Sequence, residues 1–486
     1  MDPVEIELKF QVPAASRASV RGALATATAQ TVRLRAAYFD TADQRLAAAG
    51  LALRLRQENR RWVQTLKGRG DGLMQRLEHE VVLPAQRGVP ALDPSRHAAT
   101  PVGQRLLQLL ADGTVLQERY RTEMRRLLRR VRSGGAVVEI AFDSGHIVAG
   151  ALSVPVCELE FELVSGPSQP LLALAERWVQ RHALWLDVRT KSERGHRLAL
   201  GLDRVPATSA APTQLPEGAS PAQAFAAMLQ SALAQALPNA AELGAGSGTP
   251  EHLHQLRVAL RRLRTALRLF APWAGDAAAA RALERAWRAP FQRLGATRDA
   301  DVLATVLQPA LAADGAPAWR PLLASTADPM AVLHDPGFSR LVLQTLHLAL
   351  APPVPAQLSL AKASAALLKP AWRRLLVDAA AFASASPAAR HRLRRHMKRL
   401  RYSIEFLQPA LPAKPARQAL AALRKALDAL GANNDVEMAL GLLRSAPDPD
   451  AATWFARGWL LAQQAPLQRR ALRRLAPLVD LRRFWR

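Results

Sequence analysis

The chain has 486 residues, 49% of them hydrophobic and 22% charged, so it is long enough for two or three domains with their own cores and too apolar to remain disordered. Its single cysteine, Cys157, excludes a disulfide framework and any cysteine-based zinc site, so a metal must sit on oxygen or histidine ligands. A net charge of +26 implies a polyanionic partner, whether nucleic acid, an anionic membrane surface or polyphosphate.

The charge is unevenly spread. Residues 1–203 hold 29 basic against 22 acidic side chains, a net of +7, which leaves 37 against 18, or +19, for residues 204–486. The chain has no apolar run of about 18 residues, and its first residues lack the basic start and apolar centre of a signal peptide. A soluble cytoplasmic protein with no membrane partner is therefore expected.

In chain order, EIELKF alternates Glu5, Glu7 and Lys9 with Ile6, Leu8 and Phe10, the period of a half-buried strand. Further strands are expected at 31–39, 51–57, 61–67, 75–83, 136–143 and 154–164, and helices near 14–28, 100–111 and 170–183. The two-faced pattern recurs. Arg54 and Arg56 alternate with Leu53 and Leu55; Arg76, Glu78 and Glu80 with Leu77, His79 and Val81; Glu158, Glu160 and Glu162 with Leu159, Phe161 and Leu163. The expected sheet is mostly antiparallel, with one apolar face and one bearing both signs of charge. Periodicity leaves open whether the charged face meets solvent or lines a closed barrel. In a barrel the charges converge on a cavity that only a charged ligand fills at tolerable desolvation cost. Cys157 reads as a small buried hydrophobe, and His146 and His182 as structural residues.

VPATSAAPTQLPEGASP, at 205–221, gathers Pro, Ala, Ser, Thr and Gly without periodicity. The expected division is a first domain at 1–203, a linker at 204–220 and a helical domain at 221–486, with loops at 238–250 and 351–357. That last domain repeats itself. HQLRVALRRLR from His254 matches HRLRRHMKRLR from His391, and LGATRDADV from Leu294 matches LGANNDVEM from Leu430, aligning Asp299 with Asp435. A duplicated unit of roughly 135 residues follows, with repeats at about 221–350 and 357–486. At 100° per residue, His254, Arg257, Arg261, Arg264 and Arg268 share one narrow arc beside an apolar stripe of Leu253, Leu256, Leu260, Leu263 and Leu267. His391, Arg394, Lys398 and Arg401 repeat the arrangement beside Leu393, Met397, Leu400 and Ile404. Basic stripes that border a packing seam fit a polyanion groove better than a purely solvated face. The basic helices lack interleaved aromatic residues for stacking bases, which favours a polymer of phosphates over nucleic acid.

The ordered set Glu5-X-Glu7-X-Lys9, Tyr38-Phe39-Asp40-Thr41, Leu53-Arg54-Leu55-Arg56, Thr65-Leu66-Lys67, Glu158-Leu159-Glu160-Phe161-Glu162 and Lys191-Ser192-Glu193 resembles the CYTH superfamily of triphosphate tunnel metalloenzymes over residues 3–201. The resemblance implies an eight-stranded antiparallel β tunnel with flanking helices. It implies that Lys9, Arg54, Arg56, Lys67, Arg126 and Lys191 bind a triphosphate, with Arg121 and Arg125 as the other readings for Arg126. Glu5, Glu7, Glu158 and Glu160 would hold Mg²⁺ or Mn²⁺, with Glu80 and Glu139 as second choices. Glu5, Glu7, Lys9 and Glu160 would carry the catalysis. Many members have Lys-X-Arg where this chain reads Met124-Arg125-Arg126, which argues against a base role for Tyr38.

Residues 221–486 resemble a CHAD domain, which implies duplicated four-helix units with pseudo-twofold symmetry and polyphosphate binding through His254, Arg257, Arg261, Arg262, Arg264, His391, Arg394, Lys398, Arg399 and Arg401. The expected activity is metal-dependent hydrolysis of inorganic triphosphate. The alternatives are a non-catalytic polyphosphate-binding or localisation protein, a thiamine triphosphatase and an adenylate cyclase.

Overall fold

The structure, a computed structural model, describes residues 4–70, 72–111, 113–302, 308–316, 328–352, 358–444 and 450–485. The chain forms two compact units, the first of Met1–Thr208, Ala236–His252 and Leu333–Leu350, the second of Ser209–Gln235, Leu253–Val332 and Ala351–Arg486.

The first unit is built on β1 (Val4–Gln11), β2 (Gln30–Asp40), β3 (Leu51–Glu58), β4 (Arg61–Arg69), β5 (Gln75–Val82), β6 (Gln117–Ser133), β7 (Ala136–Ala149), β8 (Leu152–Ser165) and the two-residue β9 (Trp185–Leu186). The strand order is β5-β4-β3-β2-β6-β7-β8-β1-β9, and a β5–β1 pairing closes the first eight strands into an antiparallel barrel. β1 meets β5 through Val4–Ile6 and β8 through Glu7–Gln11, so its charged residues stand at the seam of closure. The long β6–β7 hairpin turns on Gly134 and Gly135, with φ of 53° and 82°, the left-handed pair that a two-residue turn requires.

Most apolar residues of the strands face outward, under helices, while a cluster including Leu34, Met124 and Ile147 fills one end of the interior. Phe10 packs edge-on against Phe161, with centroids 5.8 Å apart, and Phe161 against Trp178 of helix Gln169–His182 at 6.0 Å. On another flank Leu51, Leu53 and Leu66 pack with Val102 and Leu106 of helix Pro101–Leu109. The hydrophobic effect therefore holds the barrel largely from outside and leaves the rest of its interior for polar groups.

In the second unit, helices Pro250–Leu269 and Pro387–Leu407 carry the two basic stripes, and helices Arg288–Val302 and Ala413–Arg444 carry the second repeated motif. Every residue of both apolar stripes is buried. The expected loop at 238–250 is shorter than its composition implies. Helix Pro221–Gly244 runs through Pro238, and the buried Ala236, Leu237, Ala240 and Ala241 offset the backbone hydrogen bond that the proline lacks. Of the expected loop at 351–357, residues 353–357 lie outside the described residues, as does the side chain of Asp299.

Candidate functional site

Cross-strand partners share a face, so the register traces the inner wall residue by residue. Glu5 is opposite Arg76, Lys67 opposite Glu78, Thr65 opposite both Glu80 and Arg54, Arg126 opposite Asp143, Asp143 opposite Glu158, and Lys9 opposite Glu160. One continuous charged lining results. Arg126 belongs to it, whereas Arg121 and Arg125 are exposed on the outer face, Arg121 paired with Glu118. At one end the lining is apolar, with Leu34, Tyr38, Tyr120, Met124, Ile147 and Val156 packed together and Leu198 and Ala199 lying against them.

Lys191 opens helix Lys191–Ala199, fixed by a capping box in which Thr190 Oγ1 accepts from the Glu193 amide at 3.0 Å and the Glu193 carboxylate accepts from the Thr190 amide at 2.8 Å. Its ammonium lies 2.7 Å from Asp143, 2.6 Å from Glu158 and 2.7 Å from Glu160. Arg126 donates to both Asp143 oxygens at 2.7 Å and to Glu160 at 2.5 Å. Burial works against the charge of Asp143 and Glu160, but these cations outweigh it and hold both carboxyls below their ordinary values. The carboxylates of Asp143, Glu158 and Glu160 offer oxygens within 4.8 Å of one another. An all-oxygen set of that size fits a hard divalent ion such as Mg²⁺ or Mn²⁺.

A second acidic group stands further along the lining. Lys67 lies 3.0 Å from Glu5 and 2.8 Å from Glu78. Burial pushes the Glu5 carboxyl up to about 9; Lys67 opposes the rise, while a hydrogen bond to Glu78 and the charges of Glu78 and Glu7 add to it. Glu7 faces Arg76 at 3.6 Å and pairs across the strands with Glu162. Arg54 donates to the Tyr38 hydroxyl at 3.1 Å, and Arg56 contacts Glu80 at 2.8 Å and Glu58 at 2.5 Å. Among the described residues, the buried Nε and Nη2 of Arg54 and Nε of Arg56 make no hydrogen bond. Buried guanidinium groups left in that state are costly unless a ligand supplies acceptors.

All the expected tunnel residues thus face one lumen, but they divide. Glu158 and Glu160 converge on Lys191, while Glu5 and Glu7 belong to the group around Lys67 and Arg76. Lys9 is buried and donates to the Arg189 carbonyl beside Asp187. Glu80 bonds Arg56, and Glu139 bonds Arg130 at 2.9 Å. Sequence reasoning missed Asp143 and Arg194, which reaches Glu158 at 3.3 Å. Asp143 continues the alternation of Glu139, with Ala141 between them, and Thr190-X-X-Glu193 is a helix-start signature, so both signals were present.

In the second unit the two stripes meet across a cleft of about 780 Å³, lined by His254 and Arg261 from one helix, Arg394, Lys398 and Arg401 from the other, and Arg424 from helix Ala413–Arg444. Burial, followed by the charges of Arg261, Arg394 and Arg401, lowers Lys398 to about 6. Each repeated glycine faces a stripe arginine: a Cβ on Gly295 would stand 2.7 Å from Arg257 Nη1, too close unless the arginine shifts, and one on Gly431 would stand 3.4 Å from Arg394 Nη2, an ordinary contact. The other expected residues lie elsewhere. Arg262 is buried, donating to Gln235 at 2.8 Å and lying 4.8 Å from the Phe406 ring; Arg264 pairs with Glu284 at 2.7 Å; His391 bonds Asn434 at 2.8 Å; Arg257 packs on Phe291; and Arg399 is half-buried beside Arg268 and Arg395. Tyr402 and Trp459 also line the cleft, so aromatic groups sparse along the helices are present at the site.

The CHAD domain family matches residues 227–444 and the CYTH domain family residues 4–195. An inorganic triphosphatase of Haemophilus influenzae is 30% identical over 204 residues, covering 40% of this chain; the chain spans about half of that relative, 54% of its length. The crystal structure of the CHAD domain from the plant Ricinus communis aligns at a TM-score of 0.50 and 32% identity, covering 57% of this chain and 98% of that one. No helix among the described residues is long and apolar enough to cross a membrane. The chain belongs to the CYTH and CHAD families, with a CYTH domain at residues 4–195 followed by a CHAD domain at residues 227–444.

Proposed function

We propose that the barrel hydrolyses inorganic triphosphate in a divalent-metal-dependent reaction in the cytoplasm, and that the helical unit binds polyphosphate. The observation that carries this reading is the convergence of Arg54, Arg56, Lys67, Arg126 and Lys191 on a lumen that also holds the triad Asp143, Glu158 and Glu160. The likeness to the Haemophilus influenzae inorganic triphosphatase supports the same substrate. A triphosphate carries several negative charges and needs several cations from different strands, which a solvated protein face rarely orders. Mg²⁺ or Mn²⁺ on Asp143, Glu158 and Glu160 would neutralise charge on the phosphoryl oxygens. Arg54, Arg56 and Arg126 grip and align the phosphate chain, and Lys9, Lys67 and Lys191 balance its charge at separate points. Glu5 and Glu7 would orient the attacking water, or would help to hold a metal ion once Glu5 gives up its proton. Catalysis is then positioning plus charge stabilisation, with no covalent enzyme intermediate.

Phosphate release from tripolyphosphate, thiamine triphosphate and ATP, with Mg²⁺ or Mn²⁺, tests the reading. Hydrolysis of tripolyphosphate above that of Glu5→Ala/Glu7→Ala and Asp143→Asn controls is expected. Binding without turnover would leave a protein that only holds its ligand.

For the helical unit, Arg261, Arg394, Lys398, Arg401 and Arg424 bind the phosphate chain from both stripes at once. Arg262, committed to the interior, does not take part. Labelled polyphosphate should be displaced from the full chain by unlabelled polyphosphate at far lower phosphate concentration than by an oligonucleotide. Equal competition would make the cleft a general polyanion site, which Tyr402 and Trp459 would then help to explain.

A further inference from the structure

Helix Lys191–Ala199 touches the lumen at two points. Lys191, at its start, enters the carboxylate triad. Gly195, one turn on, faces Tyr120 so closely that a Cβ would stand 2.2 Å from Tyr120 Cδ2 and 2.3 Å from Cε2. Tyr120 is the cross-strand partner of Tyr38, and the rings stack with centroids 4.6 Å apart at 17°. The Tyr38 hydroxyl accepts from Arg54 Nη1 at 3.1 Å. Both rings are buried, so neither can yield without disturbing what packs on it.

We propose that Gly195, Tyr120 and Tyr38 are positioning residues, a packed column that sets the helix cation Lys191 and the strand cation Arg54 at one fixed spacing for the phosphate chain. The reaction it serves is the triphosphate hydrolysis inferred above. Without the column, Lys191 rests on the capping box of its helix and on its ion pairs, and Arg54 loses its hydrogen bond to the Tyr38 hydroxyl and keeps only longer contacts of 3.5 Å to Glu78 and 3.8 Å to Glu80. A side chain at 195 must lift the helix or tilt the Tyr120 ring. The first displaces Lys191; the second displaces Tyr38 and, through it, Arg54.

A double-mutant cycle on the full chain tests this, using Gly195→Ala, Tyr120→Ala and the pair, with circular dichroism and thermal melts confirming that each folds. Gly195→Ala should raise the KM for tripolyphosphate roughly tenfold or more, with a smaller change in kcat. In the Tyr120→Ala background it should add less than about twofold, because the ring that it strikes is gone. Tyr38→Phe, which removes only the oxygen that receives Arg54, should raise KM without altering that cycle. A second readout does not depend on turnover. The chain has three tyrosines, Tyr38, Tyr120 and Tyr402, so their ionisation can be resolved by NMR of ring-labelled protein. Burial raises Tyr38, but Arg54, by charge and hydrogen bond, lowers it below its ordinary value, while Tyr120 is held well above. Gly195→Ala should shift Tyr38 upward as Arg54 disengages. If the wild type hydrolyses no triphosphate, the proposed reaction fails while the titration still tests the column. An unmoved Tyr38 titration, or a Gly195→Ala penalty undiminished in Tyr120→Ala, overturns the column. Should Gly195→Ala not fold, Tyr120→Leu with native Gly195 is read the same way: an unshifted Tyr38 overturns the proposal.

Discussion

The ammonium of Lys191 stands 2.7 Å from Asp143, a carboxylate with no exposed surface, in the position that a metal ion would contest. Lysine and a divalent ion cannot both take the shortest approach to the same three carboxylates without strong repulsion. Lys191→Met should therefore tighten Mg²⁺ or Mn²⁺ binding to the substrate-free protein by several-fold, while weakening tripolyphosphate binding roughly tenfold or more. Calorimetry with each ligand separately reads both effects. Unchanged metal affinity would mean that the ion binds away from the triad.

Asp143→Asn should be among the most damaging single changes. The amide keeps the volume but loses the charge that holds Arg126 by two 2.7 Å contacts and Lys191 by a third. Breaking a buried charge pair leaves its partners uncompensated, at a cost of about 3–5 kcal/mol. A fall of roughly a hundredfold or more in kcat/KM for tripolyphosphate is expected, against little change for Glu123→Gln on the outer face of β6.

Polyphosphate affinity should depend on pH through Lys398. Its folded value near 6 lies below the ordinary lysine value because of burial and the surrounding Arg261, Arg394 and Arg401, with Asp435 opposing them; His254, Asp428 and Arg424 also face the cleft. A polyanion restores the charge, so binding takes up a proton and weakens as pH rises from about 6 towards the ordinary lysine range. Titration calorimetry in buffers of different ionisation enthalpy should show the uptake, and Lys398→Arg should abolish it. A pH-independent wild-type affinity would contradict this.

Acid should destabilise the barrel through His97. This buried ring meets His79 at 2.8 Å between Nδ1 atoms, and burial, then the neighbouring His79 and Arg96, lowers it to about 4. The unfolded chain holds the extra proton between about 4 and 6.5, so stability rises with pH across that window and is lost as pH falls through it. The slope from one such group approaches about 1.4 kcal/mol per pH unit. Denaturant melts of the wild type and His97→Gln should differ in slope only there.

Much of the site was legible because it repeats locally. Glu5, Glu7 and Lys9 share a face by the pleat alone, and His254, Arg257 and Arg261 by the turn of a helix. The paired motifs also announced the duplicated helices, and in each repeat the glycine faces a stripe arginine. Asp143 was obscured by the intervening Ala141, and Lys191 opens a short helix whose start is marked by the Thr190-X-X-Glu193 capping pattern and not by an apolar stripe.

Composition, alternation and repeat thus determined by themselves that a charged β sheet precedes a basic helical domain, because strand and helix periods arise from backbone geometry over a few residues. Only the tertiary structure decided that the sheet closes with its charges inward, that Arg126 faces the lumen while Arg125 does not, that Arg261 lines the cleft while Arg262 is buried, and that Glu5 shares Lys67 with Glu78 and stands apart from the triad. Those outcomes rest on contacts between distant positions, such as Glu5 and Lys67, 62 residues apart, whose meeting depends on strand order and register.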